Sequence, residues 1–308
     1  MLSDADIALI NDLWHEGHDF ALCRLPSQDK LIQLNGDNFI VNPFPSQYQS
    51  TCKTDYITGL TQLIGELKKT GGKTVIARTI SGIMTRDLGI VANEFFSQNP
   101  RALCLVARIN GDGWIAASPE LLLDVNLDTG HFKTMALAGT READNTDEWD
   151  NKNAKEQQYV TDFIVDITHD LGLNIDSLKT ETLKSNNIAH ICTYIQGSGL
   201  TKQMIAPLLD NLSPTPALCG TPRDRALQHI AKYEPTPRKL YGGYFGISTD
   251  NRVLIYVMLR CATFNSSGQF TIYTGGGITA LSDPIAEYRE TALKARPLLM
   301  ALSRRNHD

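Results

Sequence analysis

The run at residues 252–264, RVLIYVMLRCATF, is apolar on both faces of an extended chain, so whatever fold contains it must cover it on both sides. It is followed by Asn265-Ser266-Ser267-Gly268 and then QFTIYT, which predicts a hairpin with one long buried strand. Arg260 interrupts that strand. A guanidinium buried there without a partner would be very costly, so it requires an anion, either a carboxylate of the chain or a ligand. A second hairpin is predicted where ALCLVARI and GWIAAS flank Asn110-Gly111-Asp112-Gly113, with ELLLDVN continuing as a strand and KTVIARTI (73–80) forming another. Helical periodicity marks residues 3–16, 55–69 and 153–171. In the second of these Tyr56, Leu60, Leu63, Ile64 and Leu67 share a face and Gly71-Gly72 is the stop. Antiparallel strand pairs mixed with helices predict an α+β architecture, a buried sheet covered by helices.

With 308 residues, 42% of them hydrophobic, the chain can build a sizeable core as one large domain or two small ones. A formal net charge of -5 without a basic tract argues against nucleic acid as a partner. The opening MLSDADIALINDLWHEGHDF lacks the basic start and apolar core of a signal peptide, and no apolar run approaches about 18 residues. The expectation is a cytoplasmic protein with no membrane segment. Cys23, Cys52, Cys104, Cys192, Cys219 and Cys261 lie far apart in mostly apolar strings, which predicts reduced core residues. The polar, acidic stretch 144–153 reads as a loop between a strand and a helix.

Between 212 and 246 a proline- and glycine-punctuated loop feeds a helix and then a glycine-rich strand entry. Thr221 is the expected N-cap and Pro222 the first helical residue, ahead of a stripe of Ala226, Leu227, Ile230 and Tyr233. Gly275-x-Gly277-x-x-Ala280 matches a dinucleotide fingerprint only nominally, because no βαβ unit surrounds it. There is no Walker loop and no GxSxG motif.

Several charged residues stand in apolar settings. Glu156 extends the stripe of Val160, Phe163, Ile164 and Ile167, where a carboxylate needs a partner. The C-terminal helix opens with Asp283 as cap and Pro284 at its first position. It places Glu287, Glu290 and Lys294 on one face, which fits either a solvated ion pair or a ligand set. Lys73 shares a strand face with Val75 and Ala77, so its ammonium leans inward unless the strand end is solvated. Glu120 precedes three leucines. A carboxyl enclosed there would hold its proton, as a general acid must, whereas an exposed strand start would not.

The motifs KTVIAR, SPELLL, LAGT, the Glu156 helix, HICTYIQG, PTPALCGTPR, RKLYGGYFG, LRCATF, TGGGIT and SDPIAEYRETALK occur in an order that resembles the chorismate-binding enzymes. The resemblance runs from Lys73 onward, and its Cys219-Gly220-Thr221-Pro222-Arg223 core looks most like isochorismate synthases. It implies one chorismate-binding domain over 1–308, with 1–72 a shortened N-terminal part and 73–308 the catalytic core. The implied fold is two packed antiparallel sheets flanked by helices, with the active site between them. It further implies Mg²⁺ held by Glu156 and Glu290, with Glu287 binding directly or through water. Lys73 would activate water for attack at C2 of chorismate and Glu120 would protonate the departing C4 hydroxyl, giving isochorismate, for menaquinone synthesis. Arg260 and Tyr241 would hold the enolpyruvyl carboxylate. Gly275, Gly277, Lys294 and the Gly139-Thr140 turn would contact other oxygens, and His190 and Thr193 would line the pocket.

This sequence departs from the family pattern at Gln157, where histidine is usual, and at Asn153, where an acidic residue is common. Lysine at 73 and alanine at 138 favour water over ammonia as nucleophile, so no glutaminase subunit is expected. The tryptophan-binding regulatory region of anthranilate synthases is not recognisable in the N-terminal part. Salicylate synthase, the synthase component of an aminating complex and a non-catalytic chorismate-binding protein are the competing assignments.

Overall fold

Local signals set most element boundaries in the computed structural model, which describes residues 1–45, 54–185 and 188–303. Ser3 and Asp6 form a reciprocal cap on α1 (Asp4–Glu16), which Gly17 closes at φ 81°. Three strands follow, β1 (Phe20–Arg24), β2 (Leu31–Leu34) and β3 (Phe39–Asn42). Asp55 caps α2 (Tyr56–Thr70), which buries the expected face before Gly71 ends it and β4 (Lys73–Ile83) begins. After α3 (Leu88–Ser97), the hairpin β5 (Leu103–Ile109) and β6 (Asp112–Ser118) turns through Asn110 and Gly111, both at positive φ as a tight two-residue turn requires. The middle of the chain forms β7 (Leu121–Asn126), β8 (Phe132–Glu142), α4 (Asn151–Asp170), β9 (Asn174–Ser185) and β10 (Ile188–Ser198). Then come α5 (Ile205–Leu212), β11 (Gly220–Thr221), α6 (Arg223–Tyr233), β12 (Tyr244–Ser248), β13 (Arg252–Val257), β14 (Cys261–Phe264), β15 (Gln269–Thr279) and α7 (Pro284–Ser303).

Among the described residues the strands form two sheets, and every pairing is antiparallel. One runs β11-β4-β15-β14-β6-β5-β1-β2 and the other β3-β12-β13-β7-β8-β10-β9. The inner faces meet in a core that includes Leu105, Trp114, Leu123, Leu137, Tyr241 and Tyr256. Outside the first sheet, α1, α3 and α7 cover Phe264, Phe270 and Ile272, while α2 and α6 cover Ile76 and Ile278. This is the predicted α+β arrangement of packed sheets and flanking helices. Cys23, Cys104, Cys192, Cys219 and Cys261 are free and buried; Cys52 lies outside the described residues. No helix among the described residues is long and apolar enough to cross a membrane.

Three local expectations are corrected. The single long strand over 252–264 is two strands in different sheets, β13 in the second and β14 in the first. The chain crosses at 258–260, where Arg260 adopts φ 47°, and each half is apolar on both faces because each lies in a covered sheet. Thr221 is not the cap of α6. Its backbone pairs with Lys73 in the first sheet, so Pro222 takes the N-cap position with no side-chain cap bond. The polar stretch 144–153 ends early, since the Asp150 carboxylate accepts from Asn153 N–H and starts α4 at Asn151.

A buried ion pair ties α6 to β4. The Glu234 carboxylate accepts from Arg238 Nε and Nη2 at 2.8 and 2.7 Å and from Ala77 N–H at 2.9 Å. Arg238 also donates to the carbonyls of Val75 and Leu218. Removing one partner strands the other charge, so Glu234→Ala is expected to cost about 3–5 kcal/mol. Chemical denaturation of the two proteins measures this.

Candidate active site

Two chain crossings between the sheets lie side by side and carry two central ionisable groups of a cleft. Residues 118–120 leave β6 for β7, and 258–260 leave β13 for β14. Val257 N–H donates to the Glu120 carbonyl at 3.0 Å and Ala117 N–H to the Arg260 carbonyl at 3.3 Å, so each crossing is tied to the strand that the other one leaves. Glu120 is 3% exposed, and burial raises its carboxyl to about 8 against the opposing pull of Lys73, Lys294 and Arg260. It therefore holds a proton at neutral pH. Arg260 is lowered by burial to about 10 and remains a cation.

The cleft these crossings border encloses about 720 Å³ of open space, counting its mouth. Of the residues expected at the site, Glu120, Gly139, Thr140, Glu156, His190, Tyr241, Arg260, Gly275, Gly277 and Lys294 line it. His190, on β10, is lowered to about 3 by burial, with Arg260 and Lys294 adding to the effect. It is neutral, and since a carbonyl only accepts, its Nδ1–H donates to the Gly139 carbonyl at 2.9 Å. That leaves Nε2 as the acceptor facing Arg260 Nη2 at 3.5 Å. Gly139, at φ 65°, brings Thr140 N–H to the Asn153 side chain at 3.0 Å. Tyr241 stacks on Tyr273 at 5.7 Å between centroids, and Tyr273 on Trp114 at 5.9 Å, so three parallel rings lead from the cleft into the core.

Lys73, at the start of β4, is 1% exposed, and its Nζ lies 2.7 Å from Glu156 Oε1. Gly277 makes this contact possible, because a Cβ there would stand 2.6 Å from Glu156 Oε1 and 2.7 Å from Lys73 Cε. On α7, Lys294 Nζ bonds Glu290 at 2.7 Å and donates to the Gly275 carbonyl at 3.2 Å. Burial pushes the Glu290 carboxyl up, but Lys294, Lys152 and Lys73 outweigh it and hold it below its ordinary value. Glu287 goes the other way, raised by burial and by Glu290. Thr193 is not brought to the cleft. Its hydroxyl bonds Gln157 Nε2 at 3.0 Å and Thr180 at 2.9 Å, which ties β10 to α4 and β9.

A sequence profile for the chorismate binding enzymes matches residues 31–303, which include every one of these side chains. The chain belongs to this family. Among chorismate-binding relatives it is 30% identical over 227 residues to the isochorismate synthase EntC of Escherichia coli K12, covering 69% of this chain and 57% of that one. It is also 30% identical over 279 residues to the isochorismate synthase MenF of the same organism, covering 84% and 64%. The solved structure of that protein, described as the menaquinone-specific isochorismate synthase, superposes with a TM-score of 0.68 at 27% identity over 85% of this chain and 65% of that one. DhbC from Bacillus anthracis superposes over 96% of this chain and 87% of its own at TM-score 0.72; at 23% identity that likeness concerns the fold. The chain thus spans about three fifths of the length of these curated relatives.

The magnesium that the sequence resemblance implies can be tested against the residues present. Glu156, Glu287 and Glu290 offer the hard oxygen donors such an ion takes. Glu287 Oε2 is buried without a hydrogen-bond partner, and a Cβ at Gly276 would come within 3.1 Å of it. The donors and the room left by the glycines fit a divalent cation. Among the described residues no three such side chains converge on one point, and each of these carboxylates is engaged by a lysine. Lys152, bonded to Glu287 at 2.9 Å, is the member of this charge cluster that sequence reasoning missed. Its position four residues before Glu156, one helical turn away on the same face, is the signal that could have found it.

Two expectations follow. Below pH 4.5, its ordinary value, the Glu120 carboxyl is protonated in folded and unfolded chain alike. From there to about 8 only the unfolded chain gives up the proton, so the folded state loses stability as pH rises and the loss levels off above that range. Glu120→Gln is expected to gain stability relative to wild type across that window, as read by denaturant unfolding at a series of pH values. Gly277→Ala is expected to fold yet lose most activity by separating Lys73 from Glu156; circular dichroism beside a turnover assay checks both halves.

Proposed function

We propose that the protein is an isochorismate synthase, working in the cytoplasm and supplying menaquinone synthesis. The observation that carries this reading is a protonated, buried Glu120 in a cationic cleft whose wall residue Glu156 holds the buried Lys73 at 2.7 Å. The likeness to MenF and EntC supports it. Arg260 and Lys294 are cations on the cleft wall, His190 and Glu120 are neutral, and the site is therefore suited to a small dicarboxylate such as chorismate.

In this reading Arg260 and Tyr241 hold the enolpyruvyl carboxylate, while the Gly139-Thr140 turn and the strand at Gly275 and Gly277 orient the ring. Lys73, in its neutral amine form, takes a proton from water as the water oxygen bonds to C2. Both double bonds of the ring diene shift, the C4–O bond breaks, and Glu120 gives its proton to the departing hydroxyl, which leaves as water. One water enters and one leaves, so the product is an isomer of the substrate. A divalent cation held by Glu156 and Glu290, with Glu287 directly or through water, would supply neutralisation of a ring carboxylate. Because the nucleophile is water, no glutaminase subunit is required.

Incubation with chorismate and Mg²⁺ is expected to yield isochorismate, identified by NMR, and excess chelator to stop its formation. Lys73→Gln should lose about 10²-fold or more in turnover, the scale of a positioned general base. Salicylate as the accumulating product, or wild-type turnover by that variant, would overturn the assignment.

A further inference from the structure

Lys152 is a cation that the reaction above does not use. It stands in the first turn of α4 with its ammonium 2.9 Å from Glu287 Oε1, and Glu156 and Glu290 also act on it. The Ser282 hydroxyl donates to the same oxygen at 2.6 Å, which leaves Oε2 as the buried atom without a partner. The two ends of this pair differ in freedom. Lys152 is 28% exposed on a flexible stem, whereas Glu287 is 3% exposed and fixed between α7 and β15.

We propose that Lys152 is a built-in counter-ion, occupying the carboxylate cluster while no divalent cation is bound and swinging aside when one arrives. The proposal rests on the reading of Glu156, Glu287 and Glu290 as the ligand set. A buried carboxylate beside a second one cannot stay ionised without a cation nearby. Lys152 meets that need at one oxygen of Glu287, and its partly exposed position gives it a route to water. A divalent ion on the same oxygens would repel an ammonium at that distance. The cluster can hold one or the other, so every binding event includes the work of displacing the lysine. The device keeps the metal-free protein folded and weakens its hold on the ion.

Calorimetric titration of the chelated full chain with MgCl₂, without chorismate, tests this. Lys152→Met is expected to bind Mg²⁺ about tenfold or more tighter than wild type, since the displacement work is gone. Lys152→Arg, which keeps the charge, should bind as weakly as wild type. Melting curves give a second readout should the methionine variant fold poorly without metal: its stability should fall in chelator and rise on adding Mg²⁺ by more than that of wild type. Equal or weaker Mg²⁺ affinity in Lys152→Met, with an unchanged melting response, overturns the counter-ion role while leaving the ligand set intact. Absence of Mg²⁺ binding by all three proteins overturns the ligand set and this inference together.

Discussion

The structure depends on two segments that must change sheets without leaving backbone groups unbonded. At 118–120 and 258–260 the strand ladders are interrupted, and in a buried region each orphaned N–H or C=O would carry a desolvation cost. The two crossings solve this reciprocally, Val257 bonding to Glu120 and Ala117 to Arg260, while Met258 exchanges backbone bonds with Gly242 and Gly243. Because strand geometry lapses there, side chains need not alternate between two filled faces, and Glu120 and Arg260 can turn into the gap between the sheets. The cleft is thus a by-product of how the core is closed.

Within that gap, burial and charge sort the titratable groups into roles. Desolvation keeps Glu120 protonated and His190 neutral, while Arg260 keeps its charge because a guanidinium begins so far above neutrality. The carboxylates of Glu156 and Glu290 are each neutralised by a lysine on a neighbouring element or turn. The result is a surface with a net positive wall and one available proton, produced largely by ordinary residues in low-dielectric surroundings.

Much of this was legible in the sequence wherever a local rule applied. The cap at Asp283, the Asn110-Gly111 turn and the stripe of α2 each follow from adjacent residues. The apolar run containing Arg260 reads as one strand, because periodicity reports that both faces are covered and cannot report that two different sheets cover them. Thr221 looked like a cap until its long-range pairing with Lys73 claimed its backbone. The apolar neighbours of Lys73 and Glu120 leave burial as one of two alternatives, while Lys152 has none to betray it, and its partner Glu287 comes from a helix 135 positions away.

The ring stack of Tyr241, Tyr273 and Trp114 gives the protein an intrinsic optical property. Tyr273 forms part of the cleft wall, and the indole of Trp114 lies parallel to it at 17°, 2% exposed and shielded from quenching by water. An anion settling against the outer ring alters the electric field along the stack, and the emission of a shielded indole responds to that field. Occupancy of the cleft is therefore coupled to fluorescence without any attached dye.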